Sequence, residues 1–365
     1  MFNQIRRRAC VMAIVLTGAC SPVESSSASG QEVETIPPRQ TSPVDARTIK
    51  IVDAAKSFLA SLSSGQREAA LFAFTDREQR ARWSNLPEGI FEREGVRWGD
   101  LTSAQRAAFR NLLGSILSPR GLKMVEQQMA ADDVLKRAGS AAAMTDWVSG
   151  IRRGSDYYYV SLVGEPSLSA PWTLQFGGHH LAINATVVGP NVTLSPTLTG
   201  GQPVRFTLNG EQVDIVGDEV DRAVRLFDSL TDEQRRKAVI STRRIDLVGG
   251  PGRDGRTVGP EGLPGREMTP AQRTRLTDLI EARLGILNAD DLAPRMAEVR
   301  SDLDRTYFAW FGPRPGAGAA YWRVTGPRLL MEFAPQSLGG DPSNHLHNIY
   351  RDPTNEYGAR WAALD

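Results

Sequence analysis

The sequence predicts an α+β fold, a single large domain with a mixed, mostly antiparallel sheet and several capped helices. Three observations predict it. A Ser/Thr-x-x-Gln-Arg pattern, whose Ser/Thr and Gln start helices, occurs four times. Between these patterns lie aromatic and β-branched runs broken by Gly, Pro and Asn-Gly turns. Beyond residue 46 no linker-like stretch recurs, so residues 47–365 read as one body.

The four patterns begin at Ser63, Thr102, Thr231 and Thr269, with Gln66, Gln105, Gln234 and Gln272 three residues on. Leu62, Leu101, Leu230 and Met268 precede them as hydrophobic staples, and Pro270 takes the first helical position of the last. Their unequal intervals exclude a solenoid. The helix from Gln105 carries Ala108, Phe109, Leu112, Leu113 and Ile116 at core-facing spacing and stops near Ser118-Pro119; Leu122 to about Ala143 resumes it. Arg82 to Pro87 and Gly95 to Trp98 read as loops, with Trp83 and Asn85 able to line a site. Residues 156–163, Trp172 to Phe176 and His179 to Val188 read as strands, and Gly177-Gly178 permits a bulge. Residues 191–217 hold short strands around the hairpin signal Asn209-Gly210. Residues 219–240 and 270–287 read as helical. Residues 249–265, rich in Gly and Pro, form an ordered surface loop and not a phosphate loop, because no GK[ST] follows. Residues 321–333 give two strands around Gly326-Pro327. On the second, Leu330, Glu332 and Ala334 share one face, opposite Leu329, Met331 and Phe333.

The first 46 residues give an address. Arg6, Arg7 and Arg8 precede a short apolar core, Val11 to Leu16, and small residues lead to Cys20. Residues 1–19 therefore read as a secretory signal, too short for a membrane span. The segment before Cys20 resembles the lipobox of bacterial lipoproteins, with Leu16 one place early; ordinary cleavage after Ala19 is the alternative. Ser21 after the cysteine points to the outer membrane. Residues 20–46 are the lipidated cysteine and a Ser- and Pro-rich tether that buries too little to fold. The expected place is the cell envelope, facing the periplasm, with Cys20 the one membrane attachment. A net charge of +1 leaves no basic field for nucleic acid.

The chemistry is carried by four histidines in two tight couples, His179-His180 and His345-x-His347. On a strand, residues i and i+2 leave one face, so His345 and His347 can reach one ion together. In alternation His179 shares the apolar side with Leu181 and Ile183, and His180 the polar side with Ala182 and Asn184. Cys10 leaves with the signal and Cys20 is the anchor, so a metal here is held by nitrogen and oxygen alone. Copper, iron or zinc suits such a set. The expected ligands are His180, His345 and His347, with His179 a fourth ligand or a support. Glu332 or Asp352 would orient a histidine or act as general base, and Arg351 would hold an anionic substrate.

These residues resemble the bacterial and fungal family named domain of unknown function 3500. The resemblance rests on Trp83-Ser-Asn-Leu-Pro87, Gly164-Glu-Pro-Ser167, Pro171-Trp172, Gly178-His-His-Leu-Ala-Ile-Asn184, Gly326-Pro, Glu332-Phe333, His345-Leu-His347 and Arg351-Asp-Pro-Thr-Asn-Glu-Tyr-Gly358. It spans about residues 50 to 361; Glu356 stands where the family more often has Asp. The family name implies no reaction. Two readings follow. One is a His-ligated metalloenzyme, an oxidoreductase or hydrolase acting on a small molecule; the other is a non-enzymatic envelope lipoprotein with a structural metal or none. Neither HExxH nor GxSxG occurs, and the methionines do not cluster with the histidines, which argues against copper handling.

Overall fold

The computed structural model describes residues 45–141, 150–315, 319–338 and 340–362. The expected signal, Cys20 and nearly all of the tether lie outside them. Among the described residues no helix is long and apolar enough to cross a membrane.

The chain is built as two similar halves. The first runs α1 (Ala46–Ser61), α2 (Ser64–Ala70), β1 (Leu71–Phe72), α3 (Arg77–Ala81), β2 (Val96–Arg97), α4 (Ser103–Ile116), α5 (Pro119–Ala141), β3 (Tyr159–Val163), β4 (Trp172–Gly178), β5 (Leu181–Val188), β6 (Asn191–Thr193) and β7 (Thr197–Gly201). A small hairpin follows, β8 (Arg205–Leu208) and β9 (Glu211–Asp214). Asn209 and Gly210, both at positive φ, make its turn, as the sequence signals. The second half runs α6 (Gly217–Asp228), α7 (Asp232–Ala238), β10 (Val239–Ser241), β11 (Leu263–Pro264), α8 (Pro270–Leu284), α9 (Ala289–Ser301), β12 (Tyr307–Phe311), β13 (Tyr321–Gly326), β14 (Leu329–Pro335) and β15 (Leu346–Arg351).

The α+β expectation holds, and so does the mostly antiparallel sheet. Thirteen strands join in the order β1-β3-β4-β5-β7-β15-β14-β13-β12-β10, with β2, β6 and β11 beside this path. The order reads the same from either end of the β7–β15 seam. At each rim a short strand runs parallel to its neighbour, β1 to β3 and β10 to β12. Beyond each, a positive-φ glycine donates to the rim strand: Gly164 to Phe72 O and Gly312 to Ser241 O, both at 2.8 Å.

The capping boxes show the same duplication. All four form. Ser63 to Thr102 is 39 residues and Thr231 to Thr269 is 38, one pair per half. Within a pair the glutamines lock together. Gln105 Nε2 donates to Gln66 Oε1 at 2.8 Å and to Ser61 O at 2.9 Å; Gln272 Nε2 donates to Gln234 Oε1 at 2.8 Å and to Ser229 O at 2.7 Å. Thr231 also explains a difference from the sequence reading: residues 219–240 are two helices, α6 and α7, because its box starts a new one.

The helices other than α3 cover one face of the sheet. Phe109, Leu112, Trp172, Leu174, Phe176 and Ile183 fill the first core; Leu276, Leu279, Trp322, Met331 and Phe333 fill the second. The opposite face carries Ala182, Leu198 and Ile349 under Trp83, and Ala309, Phe311, Tyr321 and Ala334 beside Ile245 and Leu247. Segments 73–95, which include the short α3, and 242–262 therefore cover the face away from the other helices. The opposed faces expected of β14 are found.

Gln105→Ala removes a buried cap and two further bonds, and Gln272→Ala a buried cap and three. Each is expected to cost roughly 2–3 kcal/mol in urea unfolding, nearly equally in the two halves. Unequal losses would show that the halves do not share this device.

Candidate metal centre

His179 and His180 form the two-residue turn between β4 and β5, with Gly178 paired to Leu181. The sequence reading put His179 inside a strand, so its division into apolar and polar sides does not apply. The turn needs a residue at positive φ, and His180 takes it at 63°, a region where His is enriched over most side chains. Local bonds fix it there. His180 N donates to Asn85 O at 3.1 Å, Tyr158 Oη to His179 O at 2.7 Å, and Arg93 Nη2 to Gly178 O at 3.0 Å. A Cβ on Gly178 would lie 2.6 Å from the Tyr158 ring, so no larger residue fits.

His345 immediately precedes β15 and His347 lies within it, so the i, i+2 spacing does put both on one face. Strand β15 pairs with β7, and β7 with β5, which brings this strand beside the turn. One ring nitrogen from each of His180, His345 and His347 lies within 4.8 Å of the others, and all three residues are buried. Points so spaced fit within about 2.8 Å of one centre, against metal–nitrogen bonds of about 2 Å. Less than an ångström of side-chain movement closes the difference.

The pair His180 Nε2 and His345 Nε2 is separated by 3.0 Å. His345 Nδ1 lies 2.6 Å from Leu338 O, and a carbonyl only accepts, so Nδ1 carries the proton. His345 Nε2 is then a bare lone pair aimed at a second imidazole nitrogen. A proton or a cation must lie between them. The Asn85 side-chain amide sits 3.1 Å from His347 Nε2. His179 stands behind His180: the rings stack at 3.7 Å, and His179 Nδ1 meets Asp132 Oδ1 at 2.7 Å. Asp132 Oδ2 accepts from Gly154 N at 2.8 Å.

The other expected site residues are occupied elsewhere. Glu332 is fully buried and accepts from Val248 N at 2.8 Å, Gly249 N at 2.6 Å and Tyr321 Oη. Arg351, also fully buried, donates to Gly249 O and Gly250 O and pairs with Asp254 and Glu356. Together they clamp the Gly-rich loop to the sheet. Asp352 accepts from Thr354 N and Oγ1 and lies 3.4 Å from Arg295 of α9, so it shapes the turn after β15. Trp83 donates to Tyr357 Oη at 2.9 Å. Asp132, Asp246 and Arg153 had no sequence signal, being charges in helical or loop surroundings that read as solvated.

Burial is the main reason these imidazoles resist protonation. It pushes His180 well below the ordinary histidine value, and the cationic forms of His179, His347 and His345 and the Arg153 charge add to it. Burial lowers His345 against the pull of its Leu338 bond. Burial, then His345, brings His347 down to about 3, with Asp246 acting in the opposite sense. Neutral imidazoles are the form that binds metal.

The family model described as "Protein of unknown function (DUF3500)" matches residues 45–359, and the chain belongs to that family. No curated protein and no solved structure matches the chain.

The depressed histidines predict an acid-sensitive metal-free fold. Above pH 6.5 they are neutral in both folded and unfolded chains and pH changes nothing. Below it the unfolded chain takes up protons that the folded one refuses, so stability falls as pH drops from about 6.5 toward 3. For His347 alone this is on the order of 5 kcal/mol over the whole window. Chelator-treated protein should lose stability in urea between pH 6.5 and 4.5, and His347→Asn should flatten that decline. Parallel profiles would refute the assignment.

Proposed function

We propose that this protein binds one transition-metal ion through His180, His345 and His347 and acts as a metalloenzyme of the cell envelope. The observation that carries the reading is the pair of Nε2 atoms facing each other at 3.0 Å, one of them unprotonated because its ring donates through Nδ1 to Leu338 O. Copper, iron and zinc suit three imidazoles without sulfur. Such an ion with an open position supplies Lewis acidity toward water or substrate, or redox chemistry with dioxygen. The chain's own residues set the geometry. Leu338 O fixes the His345 tautomer, Asn85 restrains His347, and the stacked His179, held by Asp132, fixes His180. The charged leader, the small residues before Cys20 and the polar tether support export and a lipid anchor. The reaction is an oxidation or a hydrolysis of a small molecule.

The burial of all three rings favours a second reading, in which the ion only braces the fold of a non-enzymatic envelope protein. A closed four-ligand ion would mark that case; an exchangeable position marks the first.

Protein produced in metal-replete medium should carry about one equivalent of transition metal. His345→Ala and His347→Ala should lose it. His179→Phe keeps the stack without the Asp132 bond and should retain the ion with roughly 10–100-fold weaker affinity. A parent protein that is metal-free and takes up none on titration overturns the proposal.

A further inference from the structure

The triad contains no carboxylate. With three neutral imidazoles, a bound dication would keep its full charge in a buried place, and uncompensated buried charge is costly. Two of the carboxylates around it are engaged. Asp132 serves His179 and Gly154 N; Asp246 accepts from Leu247 N and from Gln336 Nε2 at 2.9 Å. Compensation must then arrive with a ligand.

A cation stands ready for the same ligand. Arg153 is placed by two attachments that both lead to the triad. On one side Gly154 N binds Asp132, whose other oxygen meets His179, stacked on His180. On the other, Arg152 N donates to Glu88 O at 2.9 Å, three residues from Asn85, whose carbonyl holds His180 N. Arg153 Nε is buried without a hydrogen-bond partner. Arg93 and Arg351, by contrast, are spent: Arg93 donates to Ser84 O, Leu86 O and Gly178 O, and Arg351 clamps the Gly-rich loop. A guanidinium edge with Nε–H and Nη–H free matches two oxygens of a carboxylate or phosphate.

We infer that the ligand of this centre is a small anion, carrying a carboxylate or phosphate group, and that Arg153 binds it beside the metal. This rests on the metal reading above. It replaces Arg351, the arginine favoured by sequence, with one whose donors are available.

The test uses the full-length mature protein loaded with cobalt(II), whose visible spectrum reports its coordination. Loaded parent protein should change its spectrum on titration with acetate or inorganic phosphate, and the tighter of the two identifies the group. Arg153→Met should weaken that anion roughly tenfold or more, Arg153→Lys less, both at unchanged cobalt stoichiometry, which also reports an intact fold. No response in the loaded parent, or equal affinity in parent and Arg153→Met, overturns the inference while the metal centre stands. No cobalt uptake by the parent overturns the metal reading itself, and this inference with it.

Discussion

The pairing of β7 with β15 is the constraint on which the rest depends. It joins the two halves of the sheet in antiparallel register, His347 opposite Gly200 and Leu346 opposite Gly201. Strand β15 could not come this close to anything larger than glycine at position 200, where a Cβ would lie 2.1 Å from Leu346 O. That approach sets β15 beside the β4–β5 turn. It therefore brings together, from separate halves, imidazoles 165 positions apart in the chain.

The halves share an architecture and differ in chemistry at one corresponding place. In the first, Asp132 of α5 reaches the β4–β5 turn and meets His179. In the second, Asp302, just past α9, reaches the β13–β14 turn and meets Arg328 at 2.7 Å. The second contact is an ion pair, extended by Glu298, Arg295 and Arg360. A carboxylate carried on or just past a helix and gripping a hairpin turn is thus a device of the fold. In one half it holds a cation that only stabilises; in the other it holds an aromatic ring that positions a second ring.

Local signals made much of this legible. Each capping box depends on residues three apart, so four helix starts could be read directly. The His345-x-His347 spacing depends on the alternation of a strand, and it held. What failed depends on distant partners. The strand assigned to His179 failed because a tight turn there is held by Asn85, Arg93 and Tyr158, which come from other segments. Glu332, Arg351 and Asp352 look catalytic in sequence because they are charged and near the histidines. Their roles are decided by backbone groups of residues 248–250 and by Arg295, which no local pattern announces. The duplication was written in the 39- and 38-residue spacings of the capping boxes. It stayed hidden because the halves differ in length after α5 and α9.

The triad is divided across the seam, one ring from the first half and two from the second. An ion coordinated by all three has its full affinity only while the halves are joined, so its binding energy becomes cohesion between them. By linkage, an ion at a hundredfold excess over its dissociation constant would add about 2.7 kcal/mol to that joint. Scarcity of the ion would then be felt first as a loosening of the molecule's midline.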